Sequence, residues 1–348
     1  MNKILLIIFI LVFFLRIETN LLSESIFNVN NININEKKYE NKEQYLNQVF
    51  YKGFSILINR ILLEKNQDLK DTTSINQIKK LVSHYKISED KNNTKKNVSV
   101  DLFFDKEKIN NFFQKKGISY TDLSLTDVTI FPINIKGKDI FIFSNNYFYD
   151  NWNKTKKKNN IIKKQINYVM QFENLESIEF IKRFEENFED INVKNLFLEN
   201  QTNYNFLIII IDRNDSSKIF LKGTVNDKII IKNMNLKKNN TNTDFNEYVM
   251  EEIKKNILEI IKSNNMIDIS IPSFLNISIK LGKNSNLIKF KETLGKVELV
   301  QNYKFEEITR NQIKMKIKFF GKIEKILNKL ENQGFKINLI NDQWVLKL

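Results

Sequence analysis

Not one cysteine occurs in this chain of 348 residues, so no covalent cross-link can hold it together and the fold must rest on buried apolar side chains. Disulfides, zinc–thiolate sites and thiol nucleophiles are excluded together. The material for a core is ample: 42% of residues are hydrophobic and 28 are Phe, which excludes a disordered chain. Eight Gly, two Pro and one His narrow the chemistry further. No Gly-rich phosphate loop and no Gly-x-Ser-x-Gly elbow occurs, so a nucleotide enzyme is not expected, nor any cofactor.

The N-terminus reads as a targeting segment. Met1-Asn2-Lys3 precedes the unbroken apolar run Ile4 to Leu15, the layout of a secretory signal. That run is short of the roughly 20 residues a spanning helix needs. Ser23 and Ser25 suit a cut after Ser25, making residues 1–25 a signal peptide. An uncleaved N-terminal anchor is the alternative. An exported chain works in the periplasm or at the periplasmic face of the envelope, without ATP and away from the chromosome.

Hydrophobic periodicity then predicts an α+β chain of three units. In residues 26–135, a strand over Ile26 to Asn35 precedes a helix whose Leu46, Val49, Phe50, Gly53, Phe54, Leu57 and Ile61 share one stripe. Thr73-Ser74 can cap a helix through Leu81, Val98 to Phe104 alternate as a strand, and Asp105 can cap a helix that Gly117 ends. Val128 to Ile133 is a short strand closed by Pro132. Residues 136–265 form a second α/β unit: a short strand Ile140 to Phe143, a strand Ile166 to Met170, helices near Leu175 to Phe188 and Val193 to Leu198, an antiparallel meander over 206–236, and the helix Phe245 to Ile261. Residues 266–348 read as β-α-β-β-α-β, a ferredoxin-like unit, in which Gly295 and Gly334 end the helices. Asn341-Asp342 turns that unit into a last strand, and it is expected to fold alone.

The order and spacing of these blocks carry a resemblance. The strand Phe27-Asn28-Val29, the helix with Asn59-Arg60-Ile61-Leu62, Leu81-Val82-Ser83-His84-Tyr85, the block Val98 to Asp105 with its helix and Gly117-Ile118, and Thr129-Ile130-Phe131-Pro132 follow one another. Together they resemble an uncharacterised Gram-negative envelope family, domain of unknown function number twenty sixty-six. The ending Gln343-Trp344-Val345-Leu346 is similar to its alphaproteobacterial branch. This chain departs in its excess of Lys and Asn, and in carrying Ser119-Tyr120 where an aromatic-proline step is common. The resemblance implies an envelope protein and transfers no catalytic residue.

Candidate chemistry is sparse. His84 alone cannot make a multi-histidine metal site and reads as packing or surface. The carboxylate pairs Asp101/Asp105, Glu185/Glu186 and Glu251/Glu252 would need a cleft and separated pKa values to act as acid and base, and helix capping and solvated helix faces explain them. The basic excess has one focus. Residues 266–348 hold 15 Lys/Arg against 8 Asp/Glu, half of the +14 net charge. The strand Ile313 to Phe319 buries Ile313, Met315, Ile317 and Phe319 and turns Lys314, Lys316 and Lys318 to the open face. RNA-binding sheets place aromatics at such positions, so lysines there, in an exported chain, point away from nucleic acid. The reading is a non-enzymatic binding or assembly factor for an envelope protein partner, with Lys314, Lys316 and Lys318 as candidate contact residues. The alternatives are a carboxylate-using envelope hydrolase and a binder of anionic polymer or lipid headgroups.

Overall fold

The structure, a computed structural model, describes residues 26–34, 41–89, 98–123, 125–154, 165–184, 187–197, 202–238, 244–269, 271–282 and 286–347. The expected signal segment and the pair Glu185/Glu186 lie outside the described residues. The architecture is mixed α+β.

The first unit is a three-stranded antiparallel sheet in the order β1-β3-β2, from β1 (Asn28–Asn33), β2 (Val82–Glu89) and β3 (Val98–Phe104). Four helices accompany it: α1 (Lys42–Ile61), α2 (Leu69–Thr72), α3 (Ile75–Leu81) and α4 (Lys106–Lys116). The expected stripe of α1 is buried except for Leu46, which is half-buried at its start. Gly53 lies on it where a Cβ would strike the ends of Leu102 and Ile32, so only glycine lets this helix sit so close to β1 and β3. Ser74 and Gln77 form a reciprocal capping box on α3. Asp105 caps α4 through the Lys108 amide, and Gly117 closes it at φ 65°. Strand β2 was not among the expected strands. It is an edge strand whose residues 83–87 are exposed, so no core face imposes strict alternation on it.

After β4 (Tyr120–Thr121) the chain enters a six-stranded sheet. It comprises β5 (Thr126–Lys136), β6 (Asp139–Phe141), β7 (Ile166–Met170), β8 (Tyr204–Asp212), β9 (Ser216–Val225) and β10 (Lys228–Lys237), with α5 (Tyr147–Asn151), α6 (Leu175–Lys182), α7 (Val193–Leu196) and α8 (Phe245–Asn264). The meander β8-β9-β10 is antiparallel as expected, and its second turn takes positive φ at Asn226 and Asp227, as a tight hairpin turn demands. Strands β7 and β8 both run parallel to β5. Strand β8 is buried on both faces, which explains its unbroken aliphatic run. Phe206, Ile208 and Ile210 meet the core under α5 and α8, while Leu207 and Ile209 meet that of α6 and α7.

Strand β5 corrects the expected boundary near residue 135. It is the strand that joins β7, β6 and β8, so it belongs to the middle sheet, and the unit begins just after Thr121. Nor does the strand close at Pro132; it runs on to Lys136. Proline is tolerated because β7 pairs only as far as Ile130 and β6 only from Asn134, leaving a gap where no ladder donor is needed. The buried Asn146 side chain fills it, its Nδ2 donating to the carbonyls of Pro132 (2.9 Å), Phe141 (3.0 Å) and Ile142 (2.8 Å).

The chain returns through β11 (Met266–Ile267), which pairs antiparallel with β4. A five-stranded sheet follows, built from β12 (Ser273–Lys280), α9 (Leu287–Lys296), β13 (Val300–Ile308), β14 (Gln312–Phe319), α10 (Ile323–Glu331), β15 (Ile337–Ile340) and β16 (Gln343–Lys347). The β-α-β-β-α-β order is present, and the strand after the Asn341-Asp342 turn adds to it in an informative way. Strand β16 inserts parallel to β12, so the order is β13-β14-β12-β16-β15 and β15 is displaced to the edge. Helix α9 runs through Gly295 and is capped by Val297, while Gly334 takes φ 84° after α10.

The apolar clusters do not follow three units in series. Phe27, Phe54, Phe113 and Tyr120 share one continuous core with Ile267, Leu299, Ile317 and Phe320. Residues 26–121 and 266–347 are thus two parts of one body, and the middle unit is an insertion between β4 and β11. Its helix α8 is latched to α1: Lys262, 1% exposed, donates from Nζ to the carbonyls of Asn59 (2.7 Å) and Leu62 (3.0 Å).

Candidate outer-face site of the C-terminal sheet

In β14 the side chains of Ile313, Met315, Ile317 and Phe319 are buried beside Phe290 of α9 and Ile326 of α10, so strand alternation turns Lys314, Lys316 and Lys318 to the opposite face. The three lysines do not stand alike. Lys314 is exposed and sits 2.7 Å from a Glu307 oxygen; the hydrogen bond and charge of Glu307 raise its pKa. Lys316 and Lys318 are half-buried. The Lys316 ammonium lies 4.6 Å from the centroid of the Phe274 ring, close enough for a cation–π contact. Lys318 faces Phe274 on β12 and Asn302 on β13. Beyond Lys316, Lys304 on β13 pairs with Glu306 at 3.7 Å.

Phe274 is 53% exposed, an aromatic ring on a face expected to carry only lysines. The signal was legible: it is out of phase with the buried Leu275, Ile277 and Ile279, so strand alternation alone puts it outward. Beside it lies a shallow depression of about 350 Å³ walled by Phe274, Asn276, Glu306, Lys314, Gln343 and Trp344. The face therefore divides. Glu307 answers Lys314 at one end; Lys304, paired with Glu306, lies directly opposite Lys316, which stands with Phe274 and Lys318.

The remaining candidates take structural places. His84 is exposed on β2, stacked on Phe103 with centroids 4.3 Å apart, and among the described residues no three His, Cys, Asp or Glu side chains gather as metal ligands. Asp101 accepts from the Asn31 amide at 2.8 Å, and Asp105 caps α4. Glu251 pairs with Lys254 one turn along α8.

One buried charge cluster escaped the sequence. Asp122 binds Lys325 and Lys329, each at 3.1 Å, and Lys329 also reaches Glu298 at 3.3 Å. Lys325 donates in addition to the carbonyl of Asn265, at 3.3 Å. Burial pushes the Asp122 carboxyl up, but Lys329 and Lys325 outweigh it and hold its pKa below the ordinary carboxylate value. An ionised Asp122 has no proton to give, so the cluster acts as a clamp where the chain enters and leaves the insertion. Nothing local could reveal it, since Asp122 and Lys325 are 203 residues apart.

Comparison with protein-family models, with curated proteins and with solved structures gives no match.

Proposed function

We propose that this chain is an exported, non-enzymatic binding or assembly factor of the Gram-negative envelope that docks an acidic segment of a protein partner on the outer face of its C-terminal sheet. The observation that carries the reading is Phe274, exposed with the Lys316 ammonium 4.6 Å over its ring and Lys318 alongside. Aromatic side chains are the groups that anchor protein interfaces, and the two ammonium groups beside this one set the sign of charge it selects. Glu307 neutralises Lys314 locally, which leaves Lys316 and Lys318 as the contact residues from the lysine ladder.

A labelled peptide of alternating Glu and Phe, titrated at low salt, tests this. Binding should weaken at least tenfold in Lys316→Gln/Lys318→Gln and in Phe274→Ala, and much less in Lys314→Gln. It should also weaken with added salt, because exposed charges are screened within roughly 10 Å at 0.1 M. Retained affinity in the double variant, or capture of anionic vesicles in preference to the peptide, would overturn the assignment.

A further inference from the structure

Sheet edges expose unpaired backbone, and most of the edges here are blunted. Strand β6 has three residues, β15 four and β7 five. Strands β1, β2 and β13 are each broken by a register shift, a device that keeps an edge from recruiting another strand. Strand β10 is the exception. It runs for ten residues along the edge of the middle sheet and contains no proline. It pairs with β9 without a shift, from Lys228 opposite Val225 to Lys237 opposite Ser216.

The register shows which backbone groups are free. Just past the strand, the Lys238 amide donates to the Asp215 carbonyl at 2.7 Å, so the even-numbered residues bond to β9. Bonded and outward-facing residues alternate along an antiparallel strand. Ile229, Ile231, Asn233 and Asn235 therefore turn their N–H and C=O groups away from β9, and among the described residues no strand meets them there. Their side chains do not close the edge. Ile229 and Ile231 are 57% and 55% exposed, on the face opposite Ile230, Met234 and Leu236, which are half-buried on the core under α8. Lys232, in the middle of the strand, is drawn inward onto Asn256 of α8 and leaves the edge unguarded.

Two features describe the occupant. A row of outward N–H and C=O groups is answered along its length by another extended backbone. The charge is one-sided: Lys228, Lys237 and Lys238 are exposed at the two ends of the strand, and among the described residues no carboxylate pairs with any of them. A second copy would bring the same lysines to the edge, and like charges across adjoining strands are unfavourable. An acidic partner answers them.

We propose that β10 takes up an extended acidic segment of a partner protein as a further strand of the middle sheet. The segment's main chain bonds to Ile229, Ile231, Asn233 and Asn235, and its apolar side chains cover Ile229 and Ile231. This edge is separate from the outer face of the C-terminal sheet and does not depend on the role given to that face.

The test is fluorescence anisotropy of the full chain with a labelled nine-residue peptide of alternating Val and Thr with Glu at each end. This peptide should bind. The same peptide with Lys at each end, or with its interior amides N-methylated, should bind at least tenfold more weakly. Asn233→Pro removes an outward N–H that the β9 ladder does not use and should weaken binding at least tenfold. Ile229→Thr/Ile231→Thr should weaken it at least fivefold, while Lys316→Gln/Lys318→Gln should leave it within twofold. A circular-dichroism melt checks that Asn233→Pro folds; if it does not, the isoleucine pair and the methylated peptide decide the matter. Undiminished binding of either altered peptide would overturn the site, as would unchanged affinity in the isoleucine pair or a comparable loss in Lys316→Gln/Lys318→Gln. So would a dimer of the chain alone that Ile229→Thr/Ile231→Thr dissolves, because the edge would then belong to a second copy.

Discussion

Replacing Lys262 with Met should remove a rise in stability between pH 8 and pH 10.5 while changing stability near neutrality only slightly. The Lys262 ammonium is buried against α1, and burial lowers its pKa from 10.5 to about 8, with Glu259 opposing the shift. The folded state therefore releases this proton at lower pH than the unfolded chain. Between pH 8 and 10.5 the unfolded chain binds more protons, so stability climbs as pH rises and is lost as pH falls back towards 8. At about 1.36 kcal/mol per pKa unit the rise attributable to Lys262 is about 3 kcal/mol. At pH 7.5 the Met variant escapes the cost of burying a charge, also about 3 kcal/mol, but leaves the Asn59 and Leu62 carbonyls without the ammonium, at about 1–3 kcal/mol. These nearly cancel. Urea unfolding of both proteins at pH 7.5, 8.5, 9.5 and 10.5 measures the difference. The wild type should gain on the variant by about 3 kcal/mol over the series. A difference flat to within about 0.5 kcal/mol, the usual scatter between independent substitutions, would refute the reasoning.

Asp122→Asn should destabilise the chain by about 1–3 kcal/mol in urea unfolding near pH 7, less than a fully buried pair would cost, because Lys325 and Lys329 keep about a third of their side chains in water. That deficit should shrink as pH falls through the depressed Asp122 pKa, since the wild-type carboxylate then takes up a proton and loses the same stability. Gly53→Ala should cost about 1–3 kcal/mol through overpacking against Leu102 and Ile32, read in the same unfolding experiment, and Leu102→Val should recover part of it. A fragment of residues 266–348 should melt without cooperativity, because it lacks the Phe27, Phe113 and Tyr120 side of its core. Joining residues 26–121 to 266–348 by a short Gly-Ser linker should restore a single calorimetric transition.

The elements that could be read from sequence are those whose pattern is set within their own segment. The stripe on α1 and the alternation of β14 state locally which side is buried, the aliphatic run of β8 states that both are, and Asp105 with Gly117 marks the two ends of α4. Failures begin where a segment's environment is supplied from far away. Strand β2 lies on an exposed edge and so shows no clean alternation. Pro132 marks an end only if a ladder donor is required there, and Asn146 removes that requirement. The pairing of β4 with β11, and with it the inserted character of the middle unit, joins two-residue strands that carry no periodicity. The lysine ladder was legible because alternation exposes it. Its partition was not, since Glu307 reaches Lys314 across a register shift between Phe305 and Glu307, and such shifts leave no mark on hydrophobic spacing.

The insertion has a consequence for the order in which the protein can be made. Thr121 must wait for Met266, so the first stretch to emerge cannot finish its interior until the last stretch arrives. The middle unit, being continuous, is free to fold in between. At about 5–20 residues per second of synthesis that wait is on the order of ten seconds, during which the core around Phe27, Phe113 and Tyr120 lacks its C-terminal part. Aggregation or chaperone capture should therefore concentrate on chains halted inside the insertion rather than on finished ones.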